Sequence, residues 1–117
     1  MSKDVYRVPI TGADRARAAL ALHMAAALTD LAPEAVAQGG RGQTACRARW
    51  LALYLTHVVH GWTLDRVSHA FGVTRSTAAT ACRWAEQSRE AGAFDHTLDR
   101  IEALMRAVFD GPALEVA

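Results

Sequence analysis

The side chains best suited to binding chemistry lie in one segment, residues 63–83, which reads TLDRVSHAFGVTRSTAATACR. Its second half predicts a helix with small residues on one face. The opposite face carries Arg75, Ser76, Ala79, Thr80 and Arg83. Guanidinium and hydroxyl groups of this kind donate hydrogen bonds to phosphates and base edges. No nucleophile–base pair is recognisable among them. The pattern therefore indicates contact with nucleic acid rather than catalysis.

Two predicted helices must position these side chains. Thr63 is the expected N-cap of a helix over residues 64–71, and Thr74 is the expected N-cap of the next helix. The small side chain of Ser68 lets the two helices cross closely, and Gly72, four residues later, permits a sharp turn with positive φ. This spacing predicts a helix-turn-helix, whose second helix presents its first residues to the major groove. The alternative is an ordinary helical hairpin in a bundle.

The rest of the chain also predicts helices, because apolar residues recur at i, i+3 and i+4 and no strand-like alternation is present. The predicted helices cover approximately residues 13–29, 33–37, 44–60, 64–71, 75–90 and 95–109. We therefore expect an all-α fold, a compact bundle of five to six helices containing the helix-turn-helix. Its expected parts are an extended lead-in (1–12), the helix-turn-helix domain (13–91), and an additional C-terminal helix with a short tail (92–117).

The same patterns predict how the last helix and one tryptophan are packed. An apolar stripe should turn the last helix toward the core; its members are Leu98, Ile101, Leu104, Met105 and Val108. The acidic residues Asp95, Asp99 and Glu102 should form the solvated side of that helix. Trp62 precedes the helix over 64–71 and should be the most exposed of the three tryptophans.

Length and composition restrict the class of protein. The chain has 117 residues, of which 51% are hydrophobic, and this suits one domain with a real core. Its two cysteines, Cys46 and Cys82, are too few for a secreted disulfide framework. Neither a signal peptide nor a membrane-spanning run is visible. We therefore expect a cytoplasmic protein associated with the nucleoid.

The net charge of +1 conceals an uneven distribution of charge. Residues 41–83 contain six arginines and one acid, so this block carries +5 and the remainder carries −4. The arginines of the block are Arg41, Arg47, Arg49, Arg66, Arg75 and Arg83. Because the basic block coincides with the predicted helix-turn-helix, contact with the phosphates of double-stranded DNA explains it best. Solvated arginines on helix surfaces are the alternative.

The segment over residues 47–83 resembles the C-terminal DNA-binding domain of the bacterial replication initiator DnaA, and the similarity extends over roughly residues 16–91. The matching features are Arg47 and Arg49 before an apolar helix, Thr63-Leu64, Ala70-Phe71-Gly72, and Thr77 followed by Ala81-Cys82-Arg83. The chain departs from the family in its turn, which reads Thr-Arg-Ser-Thr in place of Asp-His-Thr-Thr, and no GxxxxGK(S/T) motif occurs. It is more similar to small stand-alone alphaproteobacterial or phage-like proteins that use this domain as transcription regulators.

The resemblance implies how bases are read. Arg49 matches the arginine that enters the minor groove in this family. Arg75, Ser76 and Thr77 lie where the family reads bases in the major groove. There, Arg75 can bond guanine O6 and N7, and Thr77 can touch a thymine methyl group.

The resemblance also implies contacts with the DNA backbone. Thr63, Leu64 and Asp65 begin a helix whose free backbone N–H groups can hold a phosphate. Thr74 and Thr80 complete the expected contact surface on the following helix.

Other chemistries find less support in the sequence. His57, His60 and His69 lie in the same region as the cysteines, but no CxxC or HExxH spacing is present, so we expect no metal, no cofactor and no enzymatic activity. The leading expectation is a sequence-specific transcription regulator that binds double-stranded DNA. RNA polymerase, a sigma-like subunit or another regulator would be a further partner. The alternative is a helical adaptor or antagonist in transcription or replication initiation that does not read DNA.

Overall fold

Six α-helices make up the part of the chain that the computed structural model describes, residues 8–38 and 42–116. They are α1 (Gly12–Thr29), α2 (Pro33–Ala37), α3 (Gln43–His60), α4 (Leu64–Phe71), α5 (Arg75–Ser88) and α6 (Gly92–Asp110). No strand occurs among these residues. The predicted all-α bundle is therefore confirmed, and each helix begins and ends within a few residues of its predicted bounds.

Threonine side chains cap the first residues of α1, α4 and α5. At α1, Thr11 Oγ1 accepts a hydrogen bond from the N–H of Asp14 (3.1 Å), and Asp14 Oδ2 accepts one from the N–H of Thr11 (3.0 Å). This reciprocal capping box satisfies two backbone donors at once. Thr63 and Thr74 cap α4 and α5, each accepting from the backbone N–H three residues on, as predicted.

The middle of α3, residues 51–56, is buried on every side because the other helices pack around it. The main core cluster joins α1, α3, α5 and α6 and includes Ala21, Ala25, Leu51, Leu55, Ala85, Leu98 and Met105. A second cluster holds α4 and α5 against α3 and comprises Leu53, Trp62, Val67, Ala78 and Ala81. The apolar contacts of the second cluster therefore hold the α4–α5 pair in place on α3.

Trp62 is buried, with 7% of its surface exposed, so the prediction that it would be the most exposed tryptophan is wrong. Its ring belongs to the second cluster, and the guanidinium carbon of Arg66 lies 4.7 Å from the ring centroid. Its carbonyl accepts a hydrogen bond from Nδ1 of His57 (2.6 Å). The short connection between α3 and α4 thus turns this side chain inward.

The buried face of α6 is narrower than its apolar stripe. Leu98 and Met105 lie in the main core cluster, as predicted. Leu104 and Val108 are 56% and 64% exposed, contrary to the prediction. The contact face of α6 is centred on Leu98, Glu102 and Met105, and Leu104 and Val108 lie on a neighbouring face of the helix.

The prediction that the acids of α6 form a solvated side is wrong for Glu102, which is 8% exposed. Arg89, the C-cap residue of α5, forms ion pairs with Glu102 and Asp99 and approaches Asp95 with 2.5 Å between Nε and Oδ1. It also donates a hydrogen bond to the hydroxyl of Tyr54 on α3 (3.1 Å). This cluster of charged residues joins the end of α5 to α6.

Candidate nucleic-acid interface

A three-residue turn, residues 72–74, joins α4 to α5. Gly72 has φ 68° and ψ 33°, the left-handed conformation that favours glycine. The N–H of Val73 bonds to the carbonyl of Ser68 (3.0 Å), and Val73 packs against the second cluster. The Ser68 hydroxyl donates to the carbonyl of Asp65 (2.9 Å), which satisfies a buried polar group. The small residue and the glycine therefore occupy the places that the sequence pattern predicted.

α5 has a buried face of small residues and a solvent-facing polar face. Ala78, Ala81 and Ala85 are fully buried, so α5 lies close against its neighbours. The predicted contact residues on α5 remain accessible: Arg75, Ser76 and Arg83 are exposed, and Thr77 and Thr80 are half-buried. The structure thus presents one polar face of α5 to solvent, with Arg75, Ser76 and Arg83 the exposed residues on it.

Hydroxyl groups at the start of α5 bond to one another. Thr74 Oγ1 accepts a hydrogen bond from the N–H of Thr77 (3.1 Å) and donates one to the Thr77 hydroxyl (2.9 Å), and the Ser76 hydroxyl lies 3.1 Å from the same oxygen. One turn later, the Thr80 hydroxyl accepts from Nη2 of Arg83 (3.1 Å). The Ser76 and Thr80 oxygens keep lone pairs that can accept from a ligand.

Arg75, the first residue of α5, is paired with Asp65 in the first turn of α4. Nε of Arg75 lies 3.2 Å from Oδ1 of Asp65, and each side chain is 66% exposed. The other two predicted residues at the start of α4 differ in exposure: Thr63 is exposed, and Leu64 is half-buried against the second cluster. The ion pair thus links a residue predicted to read bases with one predicted to hold a phosphate.

Arg66 is turned toward the protein rather than toward the exposed face of α5. Its Nη2 donates a 2.7 Å hydrogen bond to Oδ2 of Asp14, and its Nε is buried without a hydrogen-bond partner among the residues described. The hydrogen bond from the backbone of Thr11, followed by that from Arg66, lowers the pKa of Asp14 from its ordinary value of 3.8. In the protein without a ligand, Arg66 is therefore already paired with Asp14.

The two arginines of α3 that the sequence predicted as contacts interact with other groups of the protein. The guanidinium carbon of Arg47 lies against two indole rings, 4.4 Å from the centroid of Trp50 and 5.5 Å from that of Trp84. Nε of Arg49 donates a hydrogen bond to the carbonyl of Val36 on α2 (3.2 Å). Arg41, also a predicted contact, lies outside the described residues.

A pocket of about 340 Å³ beside α5 was not predicted. Tyr54, Cys82, Arg83 and Glu86 contribute to its lining. The Tyr54 hydroxyl donates to Oε1 of Glu86 (2.5 Å), and burial together with this bond raises the pKa of Tyr54 to about 12. Burial also raises the pKa of the Cys82 thiol, which therefore stays protonated near neutral pH. No sequence signal indicates this pocket, because Tyr54 and Glu86 are 32 residues apart.

The three histidines that lie near the cysteines in sequence, His57, His60 and His69, bond to backbone carbonyls or pack against aromatic rings. Nδ1 of His69 donates to the carbonyl of Val8 (2.6 Å), which brings the chain before α1 against α4. His60 lies against the rings of Trp62 and Phe109, and burial lowers its pKa. Within residues 8–38 and 42–116, no three His, Cys, Asp or Glu side chains come together as a metal-binding group.

Comparisons with protein-family models, with curated proteins and with solved structures find no match to this chain. Among the helices described, none combines the length and apolar character needed to cross a membrane. The function is therefore inferred from the residues of the site themselves.

Proposed function

We propose that this protein binds double-stranded DNA sequence-specifically and acts as a transcription regulator, with α5 lying in the major groove. The observation that carries the proposal is the α4–turn–α5 arrangement, in which the polar residues Arg75 and Ser76 at the start of α5 are exposed. An α-helix with its side chains is about 10–12 Å across and fits a major groove about 12 Å wide. The second helix of such a pair offers its first residues to base edges.

Each exposed group on α5 has a contact suited to its chemistry. Arg75 bonds guanine O6 and N7, and the Ser76 hydroxyl bonds a base edge. Thr77 and Thr80 supply methyl and hydroxyl groups for thymine or for phosphate oxygens. Arg83, two turns beyond Arg75, bonds a phosphate.

Further DNA contacts are proposed outside the exposed face of α5. Backbone N–H groups at Thr63, Leu64 and Asp65 hold a phosphate at the start of α4, and Thr74 supports the first turn of α5 through its hydroxyl. Arg49 keeps its two terminal amino groups for the minor groove while its Nε bonds Val36.

The remaining arginines, Arg41, Arg47 and Arg66, stay candidate phosphate contacts. Arg66 is the less favoured of them, because it would have to leave Asp14 to reach a phosphate. The guanidinium carbon of Arg47 lies 4.4 Å from the Trp50 ring centroid, and this contact with the ring does not use the N–H groups as hydrogen-bond donors to an oxygen.

Selection from a random pool of DNA duplexes at physiological salt tests the proposal. Wild-type protein should enrich one sequence, and a gel shift should then compare Arg75→Ala with Arg100→Ala, which removes an exposed arginine of α6. We expect Arg75→Ala to lose about 1–3 kcal/mol of binding and to relax the preference at one base position. Arg100→Ala should bind like wild type. Failure of the wild-type protein to enrich any sequence would overturn the proposal.

The resemblance to the initiator's DNA-binding domain extends the proposal to a bacterial regulator that acts on the nucleoid in the cytoplasm. Because the turn at Thr74-Arg75-Ser76-Thr77 departs from the family, the preferred sequence is expected to differ from the initiator's own DNA box. The selected sequence tests this directly.

The exposed apolar side chains of α6 favour a second candidate, a protein-interaction adaptor. Leu104 and Val108 lie one turn apart on one exposed face of this helix, where a bound partner would remove both from water. The proposed partners are RNA polymerase, a sigma-like subunit or another regulator. Purified RNA polymerase should retain wild-type protein but not Leu104→Glu if this face binds it. Retention without enrichment of any DNA sequence would favour the adaptor.

A further inference from the structure

The ion pair between Asp65 and Arg75 bridges the two helices on either side of the turn. The closest approach, 3.2 Å, is made by Nε, the nitrogen nearest the aliphatic part of the arginine side chain. Among residues 8–38 and 42–116, neither side chain has another ion-pair partner. The two terminal amino groups of Arg75 are the outer donors of the guanidinium. Because the ion pair is made through Nε, an external acceptor can approach them.

Reading guanine makes a specific demand on arginine. Two parallel N–H donors must meet O6 and N7 in the plane of the base. An unrestrained arginine has many rotamers and can donate instead to phosphates or to the acceptors of other bases. A carboxylate beside Nε restricts these rotamers before binding, so less conformational freedom is lost when the terminal donors engage.

We infer that Asp65 is a specificity-determining residue that positions Arg75 for guanine, rather than a residue that contacts phosphate through its own side chain. The inference rests on the proposed DNA binding and assigns a role within that site. The carboxylate of Asp65 repels phosphate oxygens, and its pairing with Arg75 offsets that repulsion.

Because the Asp65–Arg75 ion pair is exposed, its effect on DNA selectivity can be measured separately from any effect on folding stability. Each side chain is 66% exposed, and exposed ion pairs contribute little to folding stability. Asp65→Asn keeps the shape of the side chain and removes only its charge. We therefore expect this variant to keep the helical circular dichroism and the thermal midpoint of the wild type, so that its DNA selectivity can be measured on folded protein.

The test compares wild type, Asp65→Asn, Arg75→Ala and the double variant on the selected duplex and on duplexes in which each guanine is replaced. Asp110→Asn, which removes an exposed acid of α6, is the matched charge control. We expect Asp65→Asn to reduce the preference for one guanine roughly 2- to 5-fold, in keeping with the small interaction energy of an exposed ion pair. In the Arg75→Ala background, Asp65→Asn should leave the preference at that position unchanged. Asp110→Asn should leave it unchanged in wild type.

Two outcomes distinguish this inference from the proposed function. If Asp65→Asn raises affinity for all duplexes equally and preserves the guanine preference, Asp65 only repels phosphate and the inference is overturned while DNA binding stands. If wild type enriches no sequence, both fail. A measurement without DNA adds a separate check: the Arg75 Nε–H signal in nitrogen-edited NMR spectra should shift in Asp65→Asn and not in Asp110→Asn. An unchanged signal would also overturn the inference.

Discussion

Asp14 of α1 and Arg66 of α4, 52 residues apart in sequence, form an ion pair with 2.7 Å between Oδ2 and Nη2. The same carboxylate oxygen accepts the N–H of Thr11 and so closes the capping box of α1. One side chain thus both starts α1 and anchors the first helix of the helix-turn-helix. The orientation of α4 relative to the bundle therefore depends on a residue outside the α4–α5 segment.

Asp14→Asn should destabilise the protein at neutral pH, and this effect should fade in acid. The pKa of Asp14 is lowered by the Thr11 backbone and by Arg66. A carboxyl with a lowered folded pKa contributes stability above its unfolded pKa and loses that contribution as the pH falls through the folded pKa. Urea unfolding of wild type and Asp14→Asn should therefore give free energies that differ at pH 7 and converge below about pH 4. A difference that does not vary with pH would contradict this prediction.

Gly72→Ala should cost about 1–2 kcal/mol of unfolding free energy, because an L-residue is strained in the left-handed region. Gly72 has φ 68°, and an added Cβ would meet nothing within 4 Å, so backbone strain is the whole cost. Gly92→Ala is the control: Gly92 begins α6, has equally open surroundings and lacks a positive φ. It should be neutral or stabilise α6 by about 0.5 kcal/mol. Equal losses in the two variants, measured by urea unfolding, would argue against a strained turn.

Arg89→Met should destabilise the protein by about 3–5 kcal/mol, because it leaves the buried carboxylate of Glu102 without its principal partner. Arg106→Met removes the more exposed arginine that lies 3.6 Å from the same carboxylate and should cost less than about 1 kcal/mol. Chemical unfolding measures both. Adding Glu102→Gln to Arg89→Met should restore part of the loss. No recovery would show that the charge of Glu102 is not the source of the penalty.

The dependence of DNA binding on salt should separate the exposed arginines from the occupied ones. If Arg83 contacts a phosphate, Arg83→Met should reduce the slope of log K against log salt by about 1, since each phosphate contact releases counterions. Arg66→Met should leave the slope unchanged, because Arg66 is already paired with Asp14. Fluorescence anisotropy on the selected duplex, between about 50 and 200 mM salt, measures both slopes. An equal decrease for Arg66→Met would place that residue at a phosphate.

Local patterns were sufficient to predict the helices, the caps at Thr63 and Thr74, and the turn at Gly72. These features depend on residues within a few positions of one another, whose backbone geometry and hydrogen bonding are restricted by their own chemistry. The exposed residues at the start of α5 were also predicted, because helical periodicity separates Ala78 and Ala81 from Ser76 and Arg83.

Only the tertiary structure decided which charged side chains are paired with one another and which side chains are buried. Nothing near Arg66 in sequence indicates Asp14 as its partner, and nothing near Arg89 distinguishes the buried Glu102 from the exposed Asp99. Likewise, Trp62 is buried by the second cluster, whose members come from α3, α4 and α5. The sequence by itself determined the all-α class and the basic helix-turn-helix segment, because periodicity and capping act locally. Ion pairing and burial were decided by the tertiary structure, because only folding brings side chains from distant helices within a few ångströms.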